Sequence, residues 1–138
     1  MAERSKDTEF KIEESAHGGL MFLGRSFNPL ATAKSTADAE AIALAIATAD
    51  GASDPFWRES KRQLICALIG AEIAAKPEGE RSFRAIGAAV EGRDLDELRE
   101  RFDMMREAAT SFEAFASASP ETCATVMMEV TKLLARIQ

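Results

Sequence analysis

Tyrosine is absent from this chain, and histidine and tryptophan occur once each, as His17 and Trp57. General acid–base catalysis draws on a short menu of side chains, so an enzyme built here would do without tyrosine and with a single histidine. His17 adjoins Gly18 and Gly19 and reads as a solvated turn residue rather than a base or a metal ligand. The two cysteines, Cys66 and Cys123, have no metal-ligand spacing, and buried reduced thiols of a cytosolic protein are the expectation over a disulfide. No phosphate-binding Gly-x-x-x-x-Gly-Lys-Ser/Thr, no Gly-x-Ser-x-Gly elbow, no His-Glu-x-x-His and no Cys-x-x-Cys occurs. The expectation is therefore a chain without enzyme activity, cofactor or metal.

Other shortages narrow the class further. There is no basic leader followed by an apolar core, and no apolar run near the ~20 residues of a membrane span, which predicts a soluble, cytoplasmic domain. Positive charge is in deficit: 17 Lys and Arg against 23 Asp and Glu leave a formal charge of -6. Phosphate-backbone binding needs a net basic face, so the domain as a whole is ill suited to it, although a local basic patch stays open. With four prolines and eight glycines in 138 residues, of which 46% are hydrophobic, helix is favoured over sheet. One all-α domain, a helical bundle of about five helices with a short N-terminal β-hairpin, is the predicted fold.

What is present is organised around Asp54 to Ala75. Asp54 suits an N-cap and Pro55 the first helical position, where its missing N–H is no loss. Trp57, Leu64, Leu68, Ala71 and Ala75 follow one stripe, and Ile65, Ile69 and Ile73 widen it until the helix is apolar over most of its circumference. Such a helix belongs in the middle of a bundle. Residues 1 to 9 are charged and aperiodic. Phe10, Ile12 and the run Leu20 to Leu23 suggest the hairpin, which would need the helices to cover it. Arg25 to Leu30 reads as extended chain, because Pro29 pushes Asn28 out of the helical region. Ser35 or Thr36 caps an alanine-rich helix ended by Gly51, whose small residues predict close approach to the Trp57 helix.

After the break at Lys76 to Gly79, Ser82 caps a short helix carrying Phe83, Ile86, Gly87 and Val90, and Gly92 ends it. Asp94 caps the next. On it Leu95, Leu98, Phe102, Met105, Ala109 and Phe112 repeat at steps of three and four, the pattern of one packed seam. Asp96 with Arg99, Glu97 with Arg101 and Asp103 with Arg106 are spaced for ion pairs on its charged face. That face is either simply solvated or a partner surface. Phe112 and Phe115 pack a corner, and Ser119-Pro120 opens a last helix with Cys123, Val126, Met127, Val130, Leu133, Leu134 and Ile137 in core register.

Phe27-Asn28-Pro29-Leu30, the capped helix from Asp38 to Thr48, Asp54-Pro55-Phe56-Trp57 and the apolar Leu64 to Ile69 together resemble a known arrangement. They are similar to the all-α domain of type IV secretion coupling proteins, the TraG/TraD-type ATPases of bacterial conjugation. In that family an Asn-Pro-Leu leads from the nucleotide-binding domain into a helical insertion, and an Asp-x-Phe-Trp-type helix start follows. The closing helix from Ser119 to Gln138 resembles the return toward the ATPase core. The resemblance spans residues 20 to 138; residues 1 to 19 stand outside it as a lead-in or linker, an engineered start or a truncated gene. It implies a domain of a membrane-anchored, hexameric parent of the bacterial inner membrane, itself an ATPase, although the phosphate loop, the magnesium-binding strand and the membrane helices have no counterpart here.

The function so implied is docking of protein substrates, namely relaxase or relaxosome proteins bound to transfer DNA, or secreted effectors. The isolated domain is expected to be a monomer. Its acidic balance favours a basic protein partner, since charge complementarity speeds encounter and rejects wrong partners. Glu91, Arg93, Glu97, Glu100 and Arg101 are the candidate partner-binding residues, whereas Phe27, Asn28, Pro29, Leu30, Phe56 and Trp57 are assigned to packing. Two alternatives remain: a single-stranded DNA-binding element at the mouth of the hexamer, which requires a basic groove with stacking aromatics, and a free-standing helical adaptor.

Overall fold

The computed structural model describes residues 12–14, 19–22, 29–31, 33–49, 54–103 and 106–137. Phe10, His17, Gly18, Leu23, Phe27, Asn28, Gly51 and Met105 lie outside the described residues. Among the described residues a two-stranded antiparallel ribbon, β1 (Ile12–Glu14) and β2 (Leu20–Phe22), precedes six α-helices. These are α1 (Thr36–Ala49), α2 (Pro55–Ala75), α3 (Phe83–Val90), α4 (Leu95–Asp103), α5 (Arg106–Ala116) and α6 (Pro120–Ala135). The all-α bundle with an N-terminal hairpin is the observed architecture.

α2 is its axis. Asp54 Oδ1 accepts the Phe56 N–H at 2.9 Å and Pro55 takes the first turn. Six consecutive residues, Leu64 to Ile69, are buried, so the middle of the helix is enclosed on all sides, by α1, α5, α6 and α3. Ala75, in the last turn, is exposed. α1 is capped by Ser35, whose Oγ accepts the Asp38 N–H at 3.3 Å, and the Asp38 carboxylate in return accepts the Lys34 N–H at 2.8 Å. Ala39, Ala43 and Ala47 are buried between Ile42 and Ile46, and their small volume lets α1 lie against α2.

The ribbon pairs Ile12 with Phe22, Glu13 with Met21 and Glu14 with Leu20. Leu20 and Phe22 are buried, Met21 points to solvent, and the Phe22 ring stacks on Phe83 of α3 at 5.5 Å. Three-residue strands are marginal by themselves. Here the other edge of β2 is used as well: the Leu20 N–H donates to the Arg136 carbonyl at 2.6 Å, and Leu20 bridges Ile137 in parallel. The two ends of the described chain are thereby tied together.

Pro29 to Ala31 form a 3-10 turn, not the extended chain expected from Pro29. Proline restrains the residue before it, whereas its own φ of about −65° suits a helical first position. Pro29 and Leu30 are buried as the packing assignment required. The turn is held by Arg81, a buried residue just before α3. Its guanidinium donates to the carbonyls of Leu30 (3.0 Å), Ala33 (2.6 Å), Lys76 (3.0 Å) and Ile73 (3.3 Å). Beside it the buried Glu72 carboxylate accepts from Lys76 Nζ at 3.3 Å and from the Ser82 N–H at 3.1 Å. One cation and one anion thus join the entry turn, the C-terminus of α2 and the start of α3.

The segment expected as one helix from Asp94 to Phe112 is two helices folded against each other. Phe102 and Phe112 have ring centroids 4.8 Å apart, and Arg99 Nη1 lies 3.0 Å from Glu113 Oε1. In a single straight helix those pairs would be about 15 and 21 Å apart at ~1.5 Å rise per residue. Reversal brings Leu98, Phe102, Phe112 and Phe115 into one buried cluster, with α5 against α2. It also redirects the charges: Arg99 pairs with Glu113 rather than Asp96, and lies 5.9 Å from the centre of the Phe112 ring. Glu97 answers Asp94 instead of Arg101.

Candidate functional site

The turn between α3 and α4 is built by short-range chemistry. The Glu91 N–H closes on the Gly87 carbonyl at 3.0 Å, and Gly92 takes φ +74°, a left-handed conformation that ends the helix without a Cβ penalty. Asp94 and Glu97 then form a reciprocal capping box, in which Asp94 Oδ1 accepts the Glu97 N–H at 2.9 Å and Glu97 Oε1 accepts the Asp94 N–H at 3.3 Å. The turn therefore holds Glu91, Arg93 and Asp96 at fixed positions, all in solvent.

Opposite this turn runs α6, started by Ser119, whose Oγ accepts the Thr122 N–H at 3.2 Å. Its core stripe is buried as expected from Cys123 to Leu134. Its other face carries Ala124 and Met128, the latter 51% exposed although its neighbour Met127 is buried. Between turn and helix lies an open groove of about 770 Å³, floored by Val90, Leu95, Ala124, Met127 and Met128. Glu91, Arg93, Asp94, Asp96 and Lys132 are its charged lining. Past Glu91 and Thr131 it adjoins a second depression of about 350 Å³ between α3 and α6.

Of the candidate partner-binding residues, Glu91 and Arg93 line this groove. Glu97 is exposed but engaged in the capping box, and Glu100 and Arg101 are exposed on α4 outside the groove lining. On the opposite wall, sequence reasoning placed Met127 in the core and did not single out Ala124, Met128 or Lys132. Ala124, Met128 and Lys132 recur every fourth residue, off the core stripe, and that spacing was the available signal. Phe56, assigned to packing, is instead 52% exposed in the first turn of α2 and meets Trp57 edge-on at 5.4 Å.

The thiols with shifted acidity lie elsewhere. Burial pushes the Cys66 thiol up, partly offset by the Ser111 hydroxyl donating to its sulfur at 3.5 Å. Burial does the same for Cys123, whose Sγ faces the Phe115 and Ala118 carbonyls at 3.7 Å each. Both are free and buried, and neither lines the groove. On the surface of α2, Arg62 holds the Glu59 carboxyl below its ordinary range through their ion pair. Among the described residues no three acidic, cysteine or histidine side chains gather as a metal site, and no helix is long and apolar enough to cross a membrane. Comparison with family models, curated proteins and solved structures found no match to this chain. The groove is apolar at its floor and charged at its rim.

Proposed function

We propose that this chain is a protein-docking module, the substrate-recognising helical domain of a type IV secretion or conjugation coupling protein. Binding, rather than bond making, is its mechanism: it recruits relaxase or relaxosome proteins, or secreted effectors, toward a membrane-anchored motor. The observation that carries this reading is the groove along α6, in which a half-exposed methionine is rimmed by Glu91 and Arg93. Such a floor offers a partner an apolar anchor point within a polar rim, the layout of a protein interface. The family assignment is supported by the motif order around Pro29-Leu30 and Asp54-Pro55-Phe56-Trp57.

The test is capture of partners by the purified domain from lysate of a cell carrying the cognate transfer system, with and without nuclease. The expected result is a nuclease-resistant relaxase or effector band that weakens with Met128→Glu and with the charge reversals Glu91→Lys, Glu97→Lys and Glu100→Lys. Capture unchanged by all four substitutions would refute docking at this surface. The DNA reading has one observation in its favour, the exposed Phe56 against Trp57. A salt-dependent change in Trp57 fluorescence with an oligonucleotide, lost in Phe56→Ala, would move the assignment there.

A further inference from the structure

We infer that the groove's occupant is an amphipathic helix of about three turns from a partner protein, with basic residues flanking its apolar stripe. This rests on the docking reading above and specifies what is docked. Length comes first. The α6 wall runs from Pro120 to Lys132, about 18 Å at ~1.5 Å per residue, which matches a helical segment of about 12 residues.

Backbone chemistry decides the conformation. Among the described residues every wall of the groove is a helix or the α3–α4 turn, and no strand edge lines it. An extended peptide would bury its N–H and C=O groups there without a ladder to join, whereas a helix brings its own hydrogen bonds. The surface also suits a helix. Ala124 lets a backbone approach closely, and Met128, one turn further on, is a flexible side chain that fits differing apolar anchors.

Charge decides the rest. Three carboxylates, Glu91, Asp94 and Asp96, line the groove against two cations, Arg93 and Lys132. Asp96 and Glu100, four residues apart on α4, continue the acidic ridge along one exposed face. A basic flank lies well beside this ridge, and an acidic one is repelled by it.

The experiment uses three synthetic 14-residue peptides: a basic amphipathic helix with apolar residues at i, i+4, i+7 and i+11, its scramble of equal charge, and its acid-flanked counterpart. Binding to the full chain is read by fluorescence anisotropy. The basic amphipathic peptide is expected to bind about tenfold or more tightly than either control, with ~10-fold losses in Met128→Glu and in Asp96→Lys. Both positions are exposed, and unchanged helical circular dichroism verifies the variants' folding. Equal binding of the scramble overturns the helix, and equal binding of the acidic peptide overturns the charge. If no peptide binds while Met128→Glu still abolishes capture of a relaxase or effector, docking stands and this inference falls. If capture is also unaffected, both fall.

Discussion

Replacing Arg81 by alanine removes the donor that four backbone carbonyls share. The bonds to Leu30 and Ala33 are buried, and both carbonyls belong to a segment that joins neither α1 nor the ribbon. Hydrogen bonds to a charged group contribute about 1.5–3 kcal/mol each, and an orphaned buried acceptor costs ~1–3 kcal/mol. The four are not additive, because one side chain makes them all and the part-buried carbonyls of Lys76 and Ile73 can recruit water. Counting the two buried bonds fully and the others little gives a loss of about 3–5 kcal/mol. That is a large share of the 5–15 kcal/mol typical of a domain. Lysine places a point charge where a planar fork was, so Arg81→Lys should recover only part, leaving a loss of about 2 kcal/mol. Urea titrations followed by helical circular dichroism and Trp57 fluorescence measure both. An alanine variant within about 1 kcal/mol of the parent would mean that Arg81 merely occupies the junction, and the reasoning would fail.

The fold-back of α4 on α5 predicts that Phe102→Ala and Phe112→Ala each cost about 3–5 kcal/mol, with a double variant short of their sum because the rings touch. Strict additivity in a double-mutant cycle would contradict the reversal. For the thiols the sign follows from burial, which raises the folded-state pKa of Cys66 and Cys123 above the unfolded value. In that window the folded state holds the proton that the unfolded state has lost. Their contribution is complete below about pH 8.5, the ordinary cysteine value, and is lost as pH rises through the folded pKa. Urea midpoints should therefore fall as pH rises above about 8.5, less steeply in Cys66→Ala/Cys123→Ala; equal slopes would refute the assignment.

The helix starts were legible in the amino-acid sequence because each is decided within about three residues. Asp54, Ser82, Asp94 and Ser119 accept the expected N–H groups, and Gly92 sits left-handed where a helix had to stop. The buried stripes of α2 and α6 follow from periodicity in the same way. Of the site, the α3–α4 turn with Glu91 and Arg93 was legible, since it too is local. Its opposite wall was not: periodicity puts Met127 in the core stripe and Met128 off it, but only packing sets the α3–α4 turn across from Ala124, Met128 and Lys132 to make a groove.

Near neighbours in the chain set the helices, their caps, their breaks and most of the core. Tertiary structure decided the rest. A three-four repeat reads the same in one long helix and in two that share a core, so the reversal between α4 and α5 was set by the gain from burying Phe102 against Phe112. Arg81 finds Leu30 and Ala33, 51 and 48 residues away, and Leu20 finds Arg136 at the other end of the chain. Local propensity carries no information about partners at that separation; they are fixed only when the buried polar groups of one segment must be satisfied by another.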